Sequence, residues 1–77
     1  MNDSPIFQKL MNARTALKTT IQKILDLNRQ LKSIRASKKA PETQVIKQEL
    51  KLLNKMADQQ AKIVQLYETN LRKVSNQ

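Results

Sequence analysis

The chain contains no glycine, cysteine, histidine or tryptophan, and only two prolines, Pro5 and Pro41. Without glycine there is little to form tight strand hairpins or a backbone cradle for phosphate, because both rely on residues at positive φ or lacking a Cβ. Without cysteine, neither disulfides nor thiolate metal sites can reinforce the core. The joint loss of histidine and cysteine removes the usual general base and thiolate nucleophile. The six acids, Asp3, Asp26, Glu42, Glu49, Asp58 and Glu68, never fall three or four residues apart, so no helix face gathers two carboxylates for catalysis or for a cation. Catalytic residues, metal ligands, cofactors and a small-molecule substrate are therefore not expected, and the chain reads as a non-enzyme. No apolar run exceeds two residues. Neither a signal peptide nor a membrane span is expected on that ground, and a cytoplasmic location is the default.

What the sequence does contain is apolar spacing. Ile6, Leu10, Ala13, Leu17, Thr20, Ile24, Leu27, Leu31 and Ile34 follow one another at intervals of four and three. Ile46, Leu50, Leu53, Ala57, Gln60, Val64, Tyr67, Leu71 and Val74 do the same after a short break. Such spacing marks the seam of a helix that packs on another helix. The 77 residues therefore read as a single all-α domain: an antiparallel, coiled-coil-like two-helix hairpin. Helix 1 is expected at about 5–36, the turn at about 37–40 and helix 2 at about 41–74. Ser4 can cap the first helix, and both prolines suit a first helical turn, where a missing N–H costs no hydrogen bond. By helical rise the hairpin should measure about 45 to 50 Å.

In an antiparallel pair, facing residues keep a constant sum of residue numbers. A sum of 77 sets Ile6 against Leu71, Leu10 against Tyr67, Ile24 against Leu53, Leu27 against Leu50 and Leu31 against Ile46. The turn then centres between Lys38 and Lys39, where the apolar period independently stops. Thr20, Ala57 and Gln60 fall in adjacent layers as a thin, partly polar section, expected to be a solvated notch where the helices approach closely in preference to a buried polar layer that fixes register.

The two tracks use 14 of the 23 large apolar side chains beyond Met1. The other nine, Phe7, Met11, Ile21, Leu25, Val45, Leu52, Met56, Ile63 and Leu66, extend the tracks sideways. With this register the helix 1 set and the helix 2 set emerge on opposite sides of the hairpin. So short a chain has a marginal core when alone, so the surplus points to a helical bundle formed by self-association or by docking on another protein. The nine residues are the expected protein interface.

Charge is lopsided as well. The net charge is +9, and residues 1–40 hold nine Lys or Arg against two acids. Arg29, Lys32, Arg35, Lys38, Lys39, Lys47 and Lys51 gather at the turn end, where an anionic partner would be met. Two functional readings follow. The first is a non-enzymatic interaction module: a small adaptor, chaperone or inhibitor. The alternative is a nucleic-acid-binding regulator that grips phosphates with the basic end. No stacking aromatic accompanies those cations, which favours the first. Binding to an anionic membrane surface would need a free amphipathic helix, and the complementarity of the tracks argues against it.

Overall fold

The computed structural model describes residues 5–37 and 40–75, with side chains described at 5–34 and 41–73. All described residues are helical, in two elements: α1 (Pro5–Ser37) and α2 (Ala40–Ser75). The two helices pack along their length as an all-α helical hairpin. Pro5 opens α1, as its fixed φ favours; the proposed cap at Ser4 lies outside the described residues. Ala40 opens α2, so Pro41 is its second residue, still within the turn whose N–H groups have no intrahelical acceptor. Glu42 in the first turn of α2 and Arg72 and Lys73 in its last turn both complement the helix dipole. Of the expected turn, Ser37 and Ala40 are helical, and Lys38 and Lys39 lie outside the described residues.

Every described side chain of the two tracks is buried or half-buried. Leu10, Thr20 and Leu31 are the buried members on α1, matched by Ile46, Leu50 and Val64 on α2. A core cluster lies toward the turn, where Leu31, Ile46 and Leu50 pack with Ile24, Leu27 and Ile34. These are the layers that the constant-sum register sets together. Spacing alone places them, because side chains four and three residues apart stack on one helix face.

The molecule is thin and long, at 58 × 19 × 14 Å. It exceeds the expected 45 to 50 Å in part because α2 has 36 residues, about 54 Å by helical rise. Its radius of gyration is 17.4 Å, against about 11.5 Å for a compact domain of this length. Its accessible surface is 6325 Å², whereas a compact monomer of 8.9 kDa exposes roughly 4,800 Å². A single hairpin thus leaves in water about 1,500 Å² that a globular chain of equal mass would bury.

The central polar section differs from the solvated notch expected of it. Thr20 is only 3% exposed, and its hydroxyl donates to the Ala16 carbonyl oxygen at 3.1 Å. A threonine can satisfy its own hydroxyl on the preceding turn and so be buried without water. Gln60 is half-buried, and its Oε1 has no hydrogen-bond partner among the described residues. A buried acceptor left unmade costs about 1 to 3 kcal/mol. Gln60→Leu is accordingly expected to raise stability by about 1 to 2 kcal/mol, read as a higher urea midpoint with an unchanged slope. A midpoint that falls would show that the amide contributes a bond which outweighs the seam's apolar fill.

Candidate functional site

The ion pair between Arg14 and Glu68 fixes the geometry of the surface. Arg14 Nη2 donates to Glu68 Oε2 at 2.7 Å, across the two helices. Arg14 directly follows the track residue Ala13, and Glu68 directly follows Tyr67. Residues that follow the track on α1 therefore share a flank with residues that follow it on α2. The opposite flank belongs to residues that precede the track on either helix. Both side chains of the pair are substantially exposed, so the bond contributes only about 0.2 to 1 kcal/mol.

The surplus apolar residues sort cleanly by this rule. Phe7, Met11, Ile21 and Leu25 each follow a track residue of α1, so they lie on the Arg14–Glu68 flank. Val45, Leu52, Met56, Ile63 and Leu66 each precede a track residue of α2, so they lie on the other. All nine are between 42% and 67% exposed. The two sets occupy opposite sides of a molecule whose smallest extent is 14 Å. No single flat partner surface can cover both.

Shallow grooves run where the helices part. Two lie on the α2 flank. One, of about 450 Å³, is lined by Lys23, Asp26, Leu27, Gln30, Glu49, Leu52 and Leu53. The other, of about 400 Å³, is lined by Lys9, Asn12, Ala13, Ala16, Gln60, Ile63 and Tyr67. A third, of about 300 Å³, lies on the α1 flank beside Arg14, Glu68 and Arg72. Leu52 and Ile63 stand at the rims of the first two, so an apolar side chain from a partner helix would meet apolar walls there.

Arg29, Lys32, Lys47 and Lys51 are exposed near the turn end. Arg29 pairs with Asp26 along α1 at 3.7 Å. Lys47 precedes Glu68 by three heptads and so shares the α1 flank, with Lys51 one turn further along. The side chain of Arg35, together with Lys38 and Lys39, lies outside the described residues. Phe7 is at the far end of the hairpin and Tyr67 is half-buried in the seam, so neither offers a stacking face beside these cations.

The sequence reading missed the Arg14–Glu68 pair because it looked for acids within one helix. Its signal was present all the same: both residues occupy the position just after a track residue, at levels that the register sets close together. Among the described residues no helix is long and apolar enough to cross a membrane, and no three acids gather where they would hold a metal ion. Comparison with family models, with curated proteins and with solved structures finds no match to this chain.

Proposed function

We propose that this chain is a non-enzymatic protein–protein interaction module of the cytoplasm, a small adaptor, chaperone or inhibitor, that buries its helix flanks against itself or another protein. One observation carries the reading: nine large apolar side chains outside the seam, each more than two-fifths exposed. Covering them would contribute on the order of 10 kcal/mol as an upper bound, comparable with the whole stability of a small domain. Light scattering and thermal melting of the isolated chain test it. Mass or melting temperature should rise with protein concentration, or the chain should melt broadly until a partner is supplied. A stable monomer with a sharp melting transition that neither salt nor concentration moves would overturn the reading.

A second reading, binding to nucleic acid, is favoured by the net charge of +9 and by Lys47 and Lys51 standing together on the α1 flank. Each phosphate contact releases counterions, so affinity should fall steeply, by tenfold or more between about 50 and 200 mM salt. Titration with duplex DNA and structured RNA measures this. Absence of binding at the lower salt rejects it.

A further inference from the structure

The two apolar flanks match each other over their middle. We infer that the partner of this hairpin is a second copy of the same chain, with the α1 flank of one copy lying antiparallel on the α2 flank of the next. The inference rests on the interaction reading above and names its occupant. At the same constant sum of 77 that aligns the helices within one chain, Met11 faces Leu66 of the next copy. Ile21 then faces Met56 and Leu25 faces Leu52. Shifting the alignment by one heptad in either direction sets two of those three residues opposite polar side chains. Among the neighbouring positions Lys18 meets Gln59 and Asn28 meets Glu49, whereas at the two ends Phe7 meets Asn70 and Val45 meets Lys32. Arg14 falls opposite Ile63, but its guanidinium is already held by Glu68, leaving its aliphatic stem for the contact.

The alternatives within a pair of copies fit less well. Laying the α1 flank on itself would bring Arg14 and Lys18 of both chains together between the apolar pairs. Laying the α2 flank on itself would leave the α1 flank in water. The head-to-tail arrangement covers both flanks with one kind of contact. The excess surface of about 1,500 Å² per chain is what an interface of standard size removes from water, about 1,600 Å². Because the flanks face opposite ways, such a contact does not close in a dimer; it continues into a ring or an open stack. All copies then point the same way, their basic turns side by side, so salt should strengthen the assembly by screening. Nucleic-acid binding would respond to salt in the opposite sense.

Mixing two half-disabled chains tests the proposal. One carries Ile21→Lys with Leu25→Lys, and the other Leu52→Lys with Met56→Lys. Each alone should be monomeric by sedimentation at concentrations where the unaltered chain assembles. Their mixture should form a 1:1 complex that grows no further, since each supplies the flank the other lacks. Circular dichroism of the same samples guards against unfolding: if either variant loses helix content alone, the mixture should restore it. A variant with an intact α2 flank that dimerises by itself overturns the head-to-tail contact, as does a mixture that gains neither mass nor helix. An unaltered chain that stays monomeric in high salt also overturns it. If that monomer melts broadly, the wider interaction reading survives; if it melts sharply, both fail.

Discussion

Replacing Leu52, Met56 and Ile63 together with lysine should abolish assembly and partner binding, with at least a hundredfold loss of affinity and little change in helix content. These three side chains are 67%, 47% and 44% exposed, so the hairpin itself loses little when they become polar. Exposed substitutions away from special features typically shift stability by about 0.5 kcal/mol or less. In an assembly each of the three is covered, and each then loses on the order of 1.5 kcal/mol or more of apolar burial. The loss is compounded by the cost of desolvating a lysine. The added cations also raise a net charge that is already +9, so a control of equal charge is needed. Placing lysine at Gln22, Gln48 and Thr69, which are exposed and outside both flanks, supplies it. Sedimentation should find the control assembled and the flank variant monomeric. Equal masses for the two would show that charge, not the apolar flank, decides the state of the chain.

The hairpin was legible in the sequence because a helix seam repeats its instruction many times. Nine positions on each helix carry the same spacing, and one ambiguous residue such as Ala13 or Ala57 does not erase it. The exposed flanks were legible by subtraction, since a two-helix seam has room for only two positions in seven. Features that depend on a single side chain were harder to read. Thr20 looked like a site for water because its type is polar, yet its hydroxyl reaches the Ala16 carbonyl and is satisfied within the helix. The Arg14–Glu68 bond joins residues 54 apart in sequence, and no local pattern announces such a pair. It becomes visible only once register and flank are both known. Helix ends were also blurred, because Ser37 and Ala40 carry neither a strong stop nor a strong start and both join helices.

Leu50 and Leu52 put the division between seam and flank to its most direct test, being the same residue type two positions apart on one helix. Leu50 is buried in the cluster with Leu31 and Ile46, while Leu52 is 67% exposed beside a groove. Two residues turn the chain by about 200°, which carries a side chain from the seam to the outer face. Leu50→Ala should therefore cost about 2 to 4 kcal/mol through lost burial and an unfilled space. In a domain of this size that lowers the melting temperature by about 10 °C or more. It should also weaken assembly indirectly, by depopulating the hairpin. Leu52→Ala should leave the melting of the dilute chain within about 0.5 kcal/mol of the original and weaken assembly directly. Melting curves at low and high protein concentration separate the two effects. The Leu50 defect persists on dilution, whereas the Leu52 defect vanishes once there is no assembly left to lose. Should both truncations prove equally costly in the dilute chain, Leu52 would belong to the core, and the outer flank would not be free to receive a partner.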